Sequence, residues 1–147
     1  MSKQERRLRH LLLKVEQAKF HLHLLQQLLG AFLSSNPYKI GTRREENRRM
    51  TYFVESVTPV PDQVTLLAGD VLQNLVSALD HLAFQLVCAD TNGNPPKPSS
   101  IYFPIGSDQQ DYEARKRTKL LGAQPRTLQA IDALKRRDGR QGEQRHH

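Results

Sequence analysis

Cysteine occurs once, tryptophan is absent, and aromatic residues make up only 6% of the 147 residues. A lone Cys88 excludes an intrachain disulfide and a cysteine-based zinc cluster, and it fits a reducing compartment. The scarcity of rings requires an aliphatic core, built here mostly from leucine. No run reaches the roughly 18 uninterrupted apolar residues of a membrane span. The start, MSKQERRLRH, is charged and has no secretory signal pattern. A cytoplasmic, soluble protein without a membrane partner is therefore expected. The chain also lacks G-x-G-x-x-G, a P-loop, H-E-x-x-H and G-x-S-x-G, which removes support for the nucleotide, zinc-protease and serine-hydrolase classes. His21 and His23 are two residues apart and point to different helix faces, so they do not form an i, i+4 metal pair. No cofactor and no metal are expected.

Charge is unevenly placed. Residues 1–114 hold twelve basic and twelve acidic residues, whereas residues 115–147 hold ten and three, which accounts for the whole net charge of +7. A basic end is able to track a phosphate backbone. The plainer alternative is a solvated tail, and residues 135–147, which contain no apolar residue, are expected to be disordered.

Ser2-Lys3-Gln4-Glu5 forms a capping box that opens a first helix. Leu8, Leu11, Val15, Ala18, Leu22, Leu25, Leu29 and Phe32 follow at steps of three and four, a heptad-like seam. Leu12, Leu13, Phe20, Leu24 and Leu28 widen that seam, so the helix is able to touch more than one neighbour. Ser34 to Pro37 ends it after about 30 residues, or roughly 45 Å. Residues 38–58 are rich in strand formers around a polar Glu45-Glu46-Asn47, which predicts a β-hairpin carrying Arg43, Arg44, Arg48 and Arg49. Asp62 is a candidate N-cap for a second long helix reaching Asp90.

That second helix is the most apolar stretch of the chain. Val64, Leu67, Val71, Leu72, Leu75, Ala78, Leu79, Leu82 and Leu86 carry the helical period. Cys88 lies within it and reads as a small apolar residue rather than a nucleophile. One polar line interrupts it. Asp70, Asn74, Ser77 and His81 are spaced four, three and four, which places them on one face, with Asp80 beside them. The alternative to a site is a hydrogen-bonded network that fixes helix register. Further on, Ile101 to Ile105 predicts an extended apolar plug. Ser107 and Gln110 predict a cap for a short helix to about Lys116, and Pro125 opens a last helix with Leu128, Ile131 and Leu134 on one face. The expected architecture is mainly α: an antiparallel bundle of two long helices with short C-terminal helices, and a β-hairpin inserted between helix 1 and helix 2. Residues 1–134 form one domain in this reading.

The run Gly69-Asp70-Val71-Leu72-Gln73-Asn74-Leu75-Val76-Ser77-Ala78-Leu79-Asp80-His81 resembles the signature of a set of uncharacterised bacterial proteins similar in arrangement to the HEPN superfamily of helical domains. The resemblance covers about residues 8–134. It implies a helical bundle, often dimeric, whose active members pair an Arg with a His in a metal-independent ribonuclease site. There the imidazole moves a proton from a ribose hydroxyl and the guanidinium steadies the phosphate. This sequence keeps His81, but Val76 stands where relatives place the Arg. The resemblance therefore implies an RNA-directed protein with a degenerate site: His81, Asp80 and Asn74 in the catalytic positions, and Asp70 and Ser77 as binding residues on the same face. The alternative is a non-enzymatic helical dimerisation or interaction module, such as an antitoxin or a defence-operon partner. Relatives also continue with a closing helix where this chain runs into its basic end. That leaves apolar surface on both long helices, which a homodimer would cover.

Overall fold

The computed structural model describes residues 3–139. Four α-helices are present: α1 (Lys3–Ser34), α2 (Asp62–Asp90), α3 (Gln109–Lys119) and α4 (Pro125–Gly139). Between the first two lies an antiparallel hairpin of β1 (Tyr38–Arg44) and β2 (Met50–Val57). This is the mainly helical architecture with an inserted hairpin that the sequence pattern predicts. The Ser2 capping box and residues 140–147 lie outside the described residues. The chain divides into two compact units, Met1–Leu75 and Val76–His147, with the boundary inside α2.

In the first unit, α1 buries one stripe. Leu11, Val15, Leu25, Leu29 and Phe32 are half-buried and Ala18 is buried, but the seam positions Leu8 and Leu22 are exposed. The helix ends as its sequence requires. Asn36 takes a left-handed conformation (φ 53°), which a short polar side chain tolerates, and Pro37 follows. The first part of α2 turns Val64, Leu67, Ala68 and Val71 inward. Asp62 stands in the first turn of α2 as a helical residue, one position later than an N-cap. Its charge still complements the helix dipole there.

The hairpin keeps strict pairing from Ile40↔Val54 to Arg44↔Met50 and slips by one residue between Lys39 and Ile40. The turn is closed by Arg48 N–H donating to Glu45 O at 3.0 Å and Glu45 N–H donating to Arg49 O at 2.9 Å. Arg48 has φ 64°, and the Asn47 Oδ1 accepts from Arg49 N–H. The left-handed residue reverses the chain within a short loop.

The second unit has a core of its own. Ala83, Val87, Ile101, Leu120 and Ile131 form a buried cluster, with Phe84, Leu86, Phe103, Ala123 and Leu128 packed against it. The small side chains of Ala83 and Val87 let the Ile101–Ile105 segment approach α2 closely, so the predicted plug is in place. The α2 helix closes on Asn92 and Gly93, both at positive φ, with Gly93 N–H donating to Cys88 O at 2.7 Å. The α3 cap is Asp108, one residue after the predicted Ser107. Its carboxylate accepts from Asp111 N–H, and Asp111 reaches back to Ser107 N–H. Two cap-competent residues stand side by side here, and a carboxylate is the stronger acceptor for helical N–H groups. The α3 helix also runs to Lys119 rather than to about Lys116. The α4 helix starts at Pro125 as predicted and continues to Gly139, past the boundary set at 134. Lys and Arg are good helix formers, so an absence of apolar residues does not end a helix.

Asp90 locks α4 to the end of α2. Its side chain is only 2% exposed, and its Oδ2 accepts from Gln124 N–H at 2.7 Å, at the start of α4. Burial pushes the carboxyl group upward. Hydrogen bonds from Gln124 and Thr127 and the Arg126 charge outweigh that and hold it below the usual carboxylate range. A carboxylate with a depressed native pKa stabilises the fold fully above its unfolded value, and loses that contribution as pH falls through the native one. Asp90→Ala is expected to cost about 1–3 kcal/mol, from the lost hydrogen bonds to a charged, buried carboxylate. In thermal melts the gap between wild type and variant should be full near neutral pH and shrink only below about pH 4. A gap independent of pH would show that the carboxylate charge is not what holds α4.

Candidate functional site

The polar line of α2 falls in both units. In the first unit, Asn74 Nδ2 donates to the Asp70 carbonyl at 2.9 Å, one turn back along the same helix. Asn74 is half-buried and spends a donor on its own backbone. The Asp70 carboxylate is exposed, and its Oδ2 lies 3.6 Å from His21 Nδ1 on α1. That separation is too long for a hydrogen bond. Gln17 Nε2 lies 2.9 Å from His21 Nε2. With the amide so oriented Nε2 accepts, which puts the ring proton on Nδ1, facing Asp70. His21 Nδ1 is buried and has no hydrogen-bond partner. Sequence reasoning set His21 aside as a metal ligand and missed this pairing, because nothing in the spacing of one helix reveals the facing residue of another.

In the second unit, Asp80 is half-buried and its Oδ1 accepts from Phe103 N–H at 2.9 Å. The Asp80 carboxylate therefore anchors the plug. Ser77 is half-buried, and His81 is exposed. Asp80 and His81 are sequence neighbours on a helix, so their side chains diverge. Val76, at the position of the expected Arg, is exposed as well. Cys88 is half-buried rather than fully enclosed. Among the described residues no group of three or more His, Cys, Asp or Glu side chains is placed to hold a metal ion.

Two further features were not foreseen. Tyr112 and Lys116 of α3 converge on Asp132 of α4: the phenol donates to Oδ1 at 2.7 Å, and Lys116 Nζ donates to both carboxylate oxygens at 3.0 Å. Burial, and then the hydrogen bond to Asp132, push the Tyr112 phenol well above its usual range. The hydrogen bond from Lys116 to Glu113, together with Asp132, raises the lysine against the opposing effect of burial. This clamp joins α3 to α4. Beside it is an open apolar cleft of about 550 Å³, lined by Leu79, Phe103, Pro104, Ile105, Tyr112 and Ile131 among others. Tyr112 contributes the phenol nearest the cleft, and Asp132 already engages it.

The larger unpaired resource is apolar. In the first unit only Ala18, Pro37 and Val71 are buried among the described residues. On α1, Leu8, Leu12 and Leu22 stand exposed on one flank of the buried stripe, and Leu13 and Phe20 on the other. On the first part of α2, Leu66, Leu72 and Leu75 are exposed. By length and composition α2 also meets the test for a helix able to cross a membrane, with a mean hydropathy of 1.2 over its best window. No protein family, curated protein or solved structure matches the chain.

The divergence of Asp80 and His81 gives a direct test. Asp80→Ala strands the Phe103 N–H and is expected to destabilise the protein by about 1–3 kcal/mol. His81→Ala should stay within about 0.5 kcal/mol, as for a surface residue without partners. Chemical denaturation of both variants checks this, and equal losses would mean that His81 has a structural role.

Proposed function

We propose that this chain is a non-enzymatic helical interaction module that works as a homodimer through its first unit. The observation that carries the reading is the asymmetry of burial: the second unit encloses a core, while the first leaves large apolar side chains on two flanks of α1 in water. Monomeric proteins rarely expose contiguous apolar surface beyond a few hundred Å². A second copy supplies a matching face by symmetry. Leu12→Glu with Leu22→Glu removes two apolar contacts from one flank without entering the buried stripe. Each fully buried leucine is worth about 1.5–3 kcal/mol, so the pair should weaken association by about two orders of magnitude or more. Light scattering should give twice the chain mass for wild type and the single chain mass for the variant, with unchanged helical circular dichroism. A monomeric wild type at tens of micromolar would overturn the proposal.

A second reading is favoured by one feature: His81 and Val76 are both exposed on α2. The HEPN resemblance then gives a degenerate, RNA-directed site in which the imidazole persists and the cation is lost. Asp80 and Asn74 weaken it, since each is engaged elsewhere. A mixed RNA pool in EDTA, offered to wild type, His81→Ala and Val76→Arg, separates the cases. Under the interaction reading all three are silent. Cleavage by Val76→Arg alone would mark a vestigial ribonuclease, and cleavage by wild type that His81→Ala abolishes would mark an active one.

A further inference from the structure

The hairpin has two unlike faces. Opposed residues of an antiparallel pair share a face, so Tyr38, Ile40, Thr42 and Arg44 lie with Val57, Val54, Tyr52 and Met50. The slip at Lys39/Ile40 is what brings Val57 onto this side. The other face is furnished as a solvent face. Phe53 lies across Gly41, where a Cβ would meet its ring at 2.6 Å, and the Arg43 guanidinium sits 5.8 Å from the ring centroid. Lys39 pairs with Glu55 at 3.0 Å beside them.

The first face has no such furnishing. Tyr38, Ile40, Met50, Tyr52, Val54 and Val57 form an unbroken apolar row, each 49–70% exposed. Arg44, at the tip, is the face's only charge. Nucleic acid is a poor match for such a surface, since Arg43 and Lys39 lie on the opposite face. The six side chains present on the order of 600 Å² per chain, and two such faces would bury roughly 1,200 Å², the lower bound of a standard specific interface. A two-stranded ribbon is also marginal on its own in water, so a cover is needed for the hairpin to persist.

We infer that this apolar face of the hairpin packs against the same face of a second copy, giving a two-layer ribbon sandwich at the dimer interface. The inference rests on the homodimer reading and assigns a second contact to it, separate from the α1 flank. Face-to-face packing of two ribbons places the sheets about 10 Å apart with side chains interleaved. Tyr52 and Met50 towards the tip, and Val54 and Val57 beside Tyr38 towards the root, offer large and small residues for that interleaving.

The test is sedimentation velocity on the full chain carrying Tyr52→Thr with Val54→Thr. Threonine keeps the strand preference and removes most of the apolar area. The dimer dissociation constant should rise at least tenfold, with unchanged circular dichroism. A second variant, Tyr52→Cys in a Cys88→Ser background, should oxidise to a covalent dimer faster than a matched Thr51→Cys control on the opposite face. An unchanged dissociation constant with no preferential crosslinking would overturn the inference. If the α1 variant then still dissociated, the homodimer reading would stand without the hairpin contact. A monomeric wild type overturns both, and flotation of that monomer with uncharged phosphatidylcholine vesicles would assign the face to lipid.

Discussion

Apolar surface must leave water, and the two units meet that demand differently. In the second, small residues at Ala83 and Val87 let Ile101, Leu120 and Ile131 close over α2. Every later feature of that unit follows from the closure. The plug must be pinned, so Asp80 holds the Phe103 N–H. The last helix must be started in a fixed place, so Asp90 receives the Gln124 N–H. Both carboxylates accept from a backbone donor of a distant segment, and hydrogen bonds to a charged acceptor are among the stronger ones.

The first unit has the same kind of sequence with less to cover it. Its apolar positions divide: Ala18 and Val71 are enclosed, while Leu8, Leu22 and Leu66 face water. The hairpin repeats the pattern in strand form, with one furnished face and one bare face. These are separate surfaces on separate elements, yet each carries large exposed apolar side chains. An association that covered one alone would leave the other exposed. That is the physical reason to expect more than one contact region in a dimer.

How much of this was legible in the sequence depended on the reach of each rule. Steps of three and four give α1 and α2, Pro37 ends the first, Pro125 begins the last, and the polar Glu45-Glu46-Asn47 marks the turn. Those signals act within one helical turn or one hairpin. The bonds made by the two α2 carboxylates do not: Asp80 and Phe103 are 23 residues apart, and Asp90 and Gln124 are 34 apart. Spacing identified Asp80 as chemically notable without revealing that its partner is a backbone amide. The α3 cap moved by one residue because Ser107 and Asp108 satisfy the same rule, and the Asp111 N–H donating to the Asp108 carboxylate distinguishes them. The bare face of the hairpin was hidden for a different reason. Alternation puts Val54 and Val57 on opposite sides, and the slipped register brings them together.

The fate of the polar line follows from what each group still has to give. Asn74 has used a donor on the Asp70 carbonyl, and Asp80 has used an acceptor on the plug. His81 is left exposed, with its sequence neighbour turned away and an aliphatic Val76 exposed on the same helix. A lone imidazole in water neither orients a hydroxyl nor offsets charge on a phosphate. Proton transfer by a positioned group contributes roughly 10²–10⁴-fold, and the electrostatic part of catalysis is usually larger. The residues of the line thus support the fold of α2 and its neighbours more fully than they support chemistry. The uncovered leucine and hairpin faces are the parts of the first unit with interactions still to make.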